Sequence, residues 1–139
     1  MHLSRATDIA LRVLMLAAAQ RRQLTIDELG TALNVPRNHV AKVVQRLQRS
    51  GWLTTTRGRG GGISLPDAAL RIPVGRVVRD FEGVAEVIDC ETPPCPLRAA
   101  CLLRGALRTA QEAFFASLDE VVLQDLIAPP TGRTLLTLT

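Results

Sequence analysis

The first fifty residues carry three successive patterns of apolar positions with helical spacing. The first pattern follows Ser4, a residue type that caps helices, and its apolar positions occupy two sides of the helix. Those positions are Ile9, Ala10, Val13, Leu14, Leu16 and Ala17. Because a helix that is apolar on two sides must be covered on both, the pattern predicts a central helix that begins near Arg5 and ends before Arg21.

The next two patterns predict a helix-turn-helix over about residues 25–50. Thr25 and Glu28 form a T-x-x-E capping box at the start of one helix, and Asn34 suits the left-handed conformation that ends it. Pro36 suits the first turn of the following helix. The apolar positions of that helix recur at three- and four-residue steps at Val40, Val43, Val44 and Leu47. Two short helices joined by a tight turn are typical of a DNA-reading unit.

Residues 52–65 predict a β-hairpin wing. The run 52–56 is rich in β-branched residues, Ile63 resumes a strand, and Pro66 ends it. The tip between them, RGRGGG, is glycine-rich and carries two arginines. A plain turn is the alternative, but a hairpin directly after a helix-turn-helix favours a wing. A nucleotide-phosphate loop is not favoured, because no helix beginning with Lys-Ser or Lys-Thr follows.

The second half predicts further helices around an irregular loop at residues 89–101. Pro73 precedes one apolar stripe, and a long helix is predicted over about residues 97–116. That helix has a narrow apolar seam suited to pairing with a second copy, formed by Leu103, Ala106, Leu107, Ala110, Ala113 and Phe114. Packing against its own domain is the alternative. The predicted fold is mainly α with a small β wing: one winged-helix domain over residues 1–128, a dimerisation helix, and a loose tail at 129–139.

The charge of the chain is concentrated in the first half. The net charge is +4 over 139 residues, but residues 1–62 carry ten basic and three acidic side chains, whereas residues 63–139 carry seven and ten. Such asymmetry favours a polyanionic partner for the first half. No apolar stretch approaches the length that a membrane helix needs, so a cytoplasmic protein is predicted.

Basic and amide side chains on the second helix of the helix-turn-helix are the expected DNA contacts. Arginine pairs with guanine acceptors, asparagine and glutamine pair with adenine, and lysine neutralises phosphate. The candidates on this helix are Arg37, Asn38, His39, Lys42, Gln45 and Arg46, with His39 expected to face solvent. On the wing they are Arg57, Arg59, Gly60 and Gly61, where glycine allows close backbone approach and arginine suits the minor groove.

All three cysteines lie in the proline-rich loop, spaced C-x4-C-x5-C at Cys90, Cys95 and Cys101. Zinc sites usually pair cysteines at shorter spacing or add histidine, and a disulfide uses two cysteines in an oxidising setting. Iron–sulfur clusters accept thiolates at irregular spacing along a loop. A 4Fe–4S cluster held by three thiolates leaves one iron for a different ligand, and a 2Fe–2S cluster is the alternative.

The chain resembles the iron–sulfur winged-helix repressor family through about residue 128. The matching segments are LSRATDIALRVL (3–14), VPRNHVAKVVQRL (35–47), RGRGGGISL (57–65), IPVGRVVRDFE (72–82) and the cysteine triplet. It is more similar to the nitric-oxide-sensing NsrR type than to the IscR type, which places a histidine three residues after the last cysteine. In this sequence that position is Arg104.

The resemblance implies a homodimeric repressor of double-stranded operator DNA that holds an iron–sulfur cluster. It implies Cys90, Cys95 and Cys101 as ligands, with Asp8 of the partner subunit as the fourth; the alternative role of Asp8 is to favour the dipole of the first helix. It also implies that nitric oxide reacts with the cluster, releases DNA and derepresses detoxification genes.

Two other functions remain open from the sequence. One is an iron- or redox-responsive regulator that uses gain and loss of the cluster, and the other is a zinc-stabilised interaction module. An enzyme is not predicted, because the chain has no Ser/His/Asp set and no carboxylate pair at a predicted pocket.

Overall fold

The computed structural model describes residues 2–138, and their packing is centred on the first helix. This helix, α1, spans Arg5–Gln20 and is capped as predicted, because the Ser4 hydroxyl accepts the Thr7 N–H at 3.2 Å. The two-sided burial of α1 is confirmed, since Val13, Leu14, Leu16 and Ala18 are all fully buried. The next two helices along the chain both pack on α1.

Helices α2 (Ile26–Leu33) and α3 (Arg37–Arg49) form the predicted helix-turn-helix. The Thr25 hydroxyl accepts the Glu28 N–H at 3.1 Å, and the Glu28 carboxylate accepts the Thr25 N–H at 2.7 Å. The backbone bond from Thr25, aided by Arg22, lowers the pKa of Glu28. Asn34 ends α2 with a φ of 53°, so both the capping box and the left-handed stop are confirmed.

A two-stranded antiparallel sheet follows the helix-turn-helix. Strands β1 (Thr54–Thr56) and β2 (Gly62–Ser64) pair with Thr55 opposite Ile63. Two further hydrogen bonds join Ile63 to Leu24, at 2.7 and 2.8 Å. The hairpin is therefore fixed to the segment between α1 and α2, and only its tip projects away from the domain.

Residues 65–138 form one short 3-10 helix at Asp67–Arg71 and four α-helices. These are α4 (Val74–Glu82), α5 (Leu102–Asp119), α6 (Leu123–Leu126) and α7 (Thr131–Leu136). Arg79 joins α4 to α5 through two hydrogen bonds of 2.7 Å to the Asp119 carboxylate and by stacking over the Phe115 ring at 4.6 Å. The predicted fold class, mainly helical with a small β wing, is confirmed.

Two predicted boundaries in the second half are wrong. The long helix begins at Leu102, because residues 97–100 form tight turns and Cys101 has the extended conformation of a cap, its Sγ accepting the Arg104 N–H at 3.4 Å. The tail predicted at 129–139 contains α7, whose Leu135 is buried against the core. The packed domain therefore extends past residue 128.

Replacing Gly30 with alanine is expected to destabilise the helix-turn-helix. An added Cβ would lie 2.9 Å from the backbone oxygen of Val35, which cannot move freely because the Val35 N–H donates to Gly30. Overpacking of this kind costs about 1–3 kcal/mol in the free energy of unfolding, measurable by urea denaturation. Gly105→Ala is the matched control: its Cβ meets open space, and alanine in a helix is expected to be neutral or stabilising. Equal stability of the two variants would contradict the close approach of α2 to the following turn.

Candidate nucleic-acid interface and metal centre

Three polar side chains share the outward face of α3. Asn38, Lys42 and Gln45 are spaced four and three residues apart and are all exposed. Within residues 2–138 none of them has a side-chain hydrogen bond or ion pair, while the opposite face of α3 is buried on α1 and α2. This face therefore presents free donors and acceptors of the kinds that read base edges and phosphates.

Arg37 is exposed but engaged. Its Nε lies 2.8 Å from the Asp27 carboxylate, and this ion pair bridges α2 and α3. The two side chains are 70% and 73% exposed, so the pair contributes little to stability and is open to exchange for another anion.

Two of the predicted DNA contacts are held against neighbouring helices. His39 was expected to face solvent, but it is half-buried against α1, and its Nδ1 is enclosed without a hydrogen-bond partner. Arg46 donates to the backbone oxygen of Asp80 and stacks over the buried Phe81 ring at 4.2 Å. Helical spacing places both residues on the flank of α3, where α1 partly covers His39 and α4 engages Arg46.

The wing tip presents two free cations. Arg57 and Arg59 are exposed, and neither has an ion pair within the described chain. Gly58 and Gly60 have φ values of 97° and 71°, a conformation that favours glycine. Gly61 approaches the backbone of Thr56 and Gly58 too closely for a Cβ. The glycines thus allow a tight turn that holds the two arginines at the tip.

The three cysteines lie in a turn-rich segment between α4 and α5. All are free thiols; Cys90 is buried, whereas Cys95 and Cys101 are half-buried. The Cys95 N–H donates to the Cys90 oxygen at 2.9 Å, and an ion pair of 2.7 Å between Arg98 and Glu91 crosses the loop. Burial raises the pKa of the Cys90 thiol, and the nearby Arg104 opposes that rise. Metal binding must therefore displace a proton from Cys90.

Three thiols are donors of the type that iron–sulfur clusters accept. No group of three or more His, Cys, Asp or Glu side chains in residues 2–138 is close enough together to hold one metal ion. A cluster distributes its thiolates over separate irons, so it accepts donors that are spread along a loop.

The segment before Cys90 is anchored to α5. The Glu86 carboxylate accepts from Arg104 at 2.6 and 2.9 Å and from Arg108 at 3.1 Å, and Gln111 donates to the Ala85 oxygen at 2.8 Å. The hydrogen bonds from Arg104 are the main reason that the pKa of Glu86 is lowered. Arg104, at the position where the sequence lacks a histidine, therefore acts as an anchor for the cysteine loop.

Within one chain, Asp8 pairs with Arg12 and not with the cysteines. The Arg12 Nε lies 2.8 Å from the Asp8 carboxylate one turn earlier on α1, and the Asp8 side chain is 46% exposed. The carboxylate is therefore accessible to a second molecule.

The face of α5 that was predicted to pair is only partly covered within residues 2–138. None of the residues of α5 in the described structure is buried; Leu103 is 62% exposed, Ala110 is exposed, and Leu107 and Phe114 are half-buried. Leu102, beside this seam, is 92% exposed. An 18-residue helix with no buried position is unusual in a folded domain, since helices gain stability chiefly by packing an apolar face.

Sequence reasoning missed a set of hydrogen bonds between the start of α1 and the end of α4. Glu82, the last residue of α4, accepts from the Ser4 N–H at 2.6 Å and from the hydroxyl of the fully buried Thr7. Burial alone would raise the pKa of Glu82, but the hydrogen bonds from Thr7 and Ser4 outweigh it and lower the pKa. No local signal marks such a contact, because its partners are more than seventy residues apart.

Comparison with known proteins gives matches over the full length of the domain. The family model described as Rrf2, an iron-dependent transcriptional regulator, matches residues 3–129. The HTH-type transcriptional repressor NsrR of Streptomyces coelicolor is 51% identical over an alignment that covers the whole chain and 97% of that protein.

Solved structures agree in fold. CymR of B. subtilis, titled the global cysteine regulator, superposes with a TM-score of 0.70 at 21% identity, covering 91% of this chain and 95% of CymR. IscR of T. potens superposes with a TM-score of 0.72 at 16% identity, covering 91% of this chain and 86% of IscR. In residues 2–138 no helix combines the length and apolar character needed to cross a membrane.

Proposed function

The chain belongs to the Rrf2 family of transcriptional regulators, and from this premise we propose that it represses transcription as a homodimer that senses nitric oxide through an iron–sulfur cluster. The observation that carries the proposal is the 51% identity to a repressor named NsrR over the whole chain. The family consists of regulators that bind DNA, so the chain is not an enzyme.

In this proposal the face of α3 that carries Asn38, Lys42 and Gln45 docks at the major groove, and Arg57 and Arg59 reach the minor groove or its phosphates. Support comes from their exposure and from the absence of competing partners within residues 2–138. The paired Arg37 joins them by exchanging Asp27 for a phosphate, while Gly60 and Gly61 let the wing backbone approach the DNA. Arg46 and His39 serve from the flank of α3.

The cluster would be held by Cys90, Cys95 and Cys101, with Asp8 of the partner subunit as a fourth ligand. A 4Fe–4S cluster suits three thiolates and one carboxylate, and 2Fe–2S is the alternative nuclearity. When bound, the cluster would supply iron that reacts with nitric oxide. The bond from iron to the carboxylate would be the weakest, because carboxylate is a harder ligand than thiolate.

The dimer would form along α5, through Leu103, Leu107, Ala110 and Phe114. Pairing covers the seam that the chain leaves exposed. A dimer also places two helix-turn-helix units on one DNA duplex. Small helix-turn-helix proteins gain affinity for palindromic sites in this way.

Contacts at the two ends of α5 and on α4 connect the cysteine loop, α4 and α3. Cys101 caps α5, Arg79 of α4 holds Asp119 of α5, and Phe81 of α4 packs beneath the Arg46 guanidinium of α3. We propose that release of the loop shifts α4 and so the orientation of α3. A tenfold change in DNA affinity needs only ~1.4 kcal/mol of difference between the two states.

Titration of anaerobic protein with nitric oxide, oxygen and a chelator, each followed by a DNA-binding curve, tests the proposal. Nitric oxide is expected to weaken binding at the lowest dose. If chelator or oxygen releases the DNA while nitric oxide does not, the protein is an iron- or redox-responsive regulator. Zinc in place of iron and sulfide in the purified protein would make it a zinc-stabilised module.

Replacing Asp8 with alanine is expected to leave the cluster in place but change its rate of reaction with nitric oxide about tenfold, the effect of ~1.4 kcal/mol at one ligand. Stopped-flow absorbance measures the rate. Arg12→Ala is the matched control, since it breaks the same ion pair and keeps the carboxylate. Identical rates in Asp8→Ala and wild-type protein would remove Asp8 from the ligand set.

A further inference from the structure

We propose that the cleft between the start of α1 and the flank of α3 binds one backbone phosphate of DNA. Arg5 of α1 and Lys42 and His39 of α3 form this cleft, which we term the α1–α3 cleft. The inference rests on the proposed function in that it requires DNA as a partner. It adds a contact made by α1, outside both the helix-turn-helix and the wing.

The lining of the cleft suits an anion. Its volume is about 190 Å³, and the remaining lining residues, Ala6, Ile9 and Val43, are apolar. Among the described residues that line it there are two permanent cations and one imidazole, and no carboxylate. Two exposed basic side chains from separate helices, Arg5 and Lys42, therefore border one small, partly apolar space.

The polar groups of the cleft have no partners in the protein. Within residues 2–138 neither Arg5 nor Lys42 makes an ion pair, whereas the neighbouring Arg12, Arg37 and Arg46 are all engaged. The enclosed Nδ1 of His39 also lacks a hydrogen-bond partner. A buried nitrogen left unbonded is costly, and rotation of the ring about its broad second torsion would direct it to an oxygen in the cleft.

The position of the cleft fits the edge of a DNA groove. Lys42 belongs to the outward face of α3 together with Asn38, and His39 lies on the flank next to it. When α3 occupies the major groove, the flank faces one of the two bordering strands, whose phosphates position the protein without reading sequence.

A phosphate bound here would connect DNA to the helix that carries Asp8. Arg5 and Asp8 lie in the same first turn of α1. Loss of the proposed ligand bond at Asp8 would displace this turn and so move the phosphate contact directly. This movement would add to the shift of α3 that α4 transmits.

The salt dependence of DNA binding tests the cleft. For Arg5→Gln, the slope of log affinity against log salt is expected to fall in magnitude by about 0.9, the value for one lost phosphate contact, on a selected operator and on a random duplex alike. Arg5→Lys keeps the charge and is expected to keep the slope. Arg133→Gln is the matched control: Arg133 is exposed in α7, which packs near Gln20 at the other end of α1.

The outcomes separate the cleft from the wider proposal. A wild-type slope in Arg5→Gln, or an equal loss in Arg5→Lys and Arg133→Gln, would overturn the cleft site. Failure of the wild-type protein to bind any duplex would instead reject the proposed function. A scan of single neutral methylphosphonates along the operator gives a second readout: one backbone position is expected to weaken wild-type binding and leave Arg5→Gln unaffected.

Discussion

Cys95→Ala protein purified without air is expected to lose the visible absorbance, iron and sulfide of the wild-type protein. Of the three cysteines, Cys95 can be replaced with the least disturbance of the structure, because its hydrogen bonds are made by the backbone. Its N–H donates to the Cys90 oxygen, and its own oxygen accepts from the Arg98 N–H. Alanine keeps both bonds. In contrast, Cys90 is buried and Cys101 caps α5, so their replacement also disturbs packing or the helix start.

Thr92→Ala is the matched control for Cys95→Ala. Thr92 is an exposed residue of the same loop, and its recorded hydrogen bond to Asp89 is made by the backbone N–H. Its replacement is expected to leave iron and sulfide unchanged. A full wild-type spectrum in Cys95→Ala would mean that the cysteine loop is not the metal site.

Replacing Arg57 and Arg59 together with glutamine is expected to weaken DNA binding at every sequence. The two side chains are free cations at the tip of the wing, and each is expected to contribute about one unit to the magnitude of the salt slope. The slope of the double variant should therefore fall by about two. The fold should be unaffected, because strand pairing and the Leu24–Ile63 hydrogen bonds do not involve either side chain.

The double variant Arg71→Gln/Arg76→Gln is the control for the wing. Both residues are exposed, carry the same charge and lie in the acidic half of the chain, away from the hairpin. Their loss should leave the slope nearly unchanged. If the two double variants have the same slope as wild-type protein, the wing does not touch DNA.

The helix-turn-helix was predictable because its signals are local. The capping box at Thr25 and Glu28, the left-handed Asn34 and the apolar spacing of α3 each act within a few residues. Local steric and hydrogen-bonding rules determine such features, so the sequence alone is sufficient to place them.

The errors lie where a distant contact or an unusual cap decides the outcome. Arg46 is exposed on α3 as expected, but no local signal indicated that Asp80 and Phe81 of α4 would engage its guanidinium. Cysteine is not among the common N-caps, so the start of α5 was placed too early. The prolines at 129 and 130 suggested a loose tail, yet Gln20 donates to the Leu135 oxygen and Leu135 is buried.

The metal site was predictable in composition but not in assembly. Three thiols in one proline-rich loop are visible in the sequence, whereas the anchoring of that loop through Glu86, Arg104 and Arg108 depends on the packing of α5. A ligand from a second subunit depends on the dimer. Asp8 therefore stays a prediction that the single chain supports only by its accessibility.

The central claim is that a metal centre on the cysteine loop controls how the protein holds DNA. The most direct test measures absorbance and operator affinity on the same anaerobic sample, before and after nitric oxide, with a duplex that the protein has selected from a random pool. The account predicts a coloured protein whose affinity falls at least about tenfold as the absorbance changes, equivalent to ~1.4 kcal/mol. A colourless protein that binds the same duplex equally well before and after treatment would contradict it.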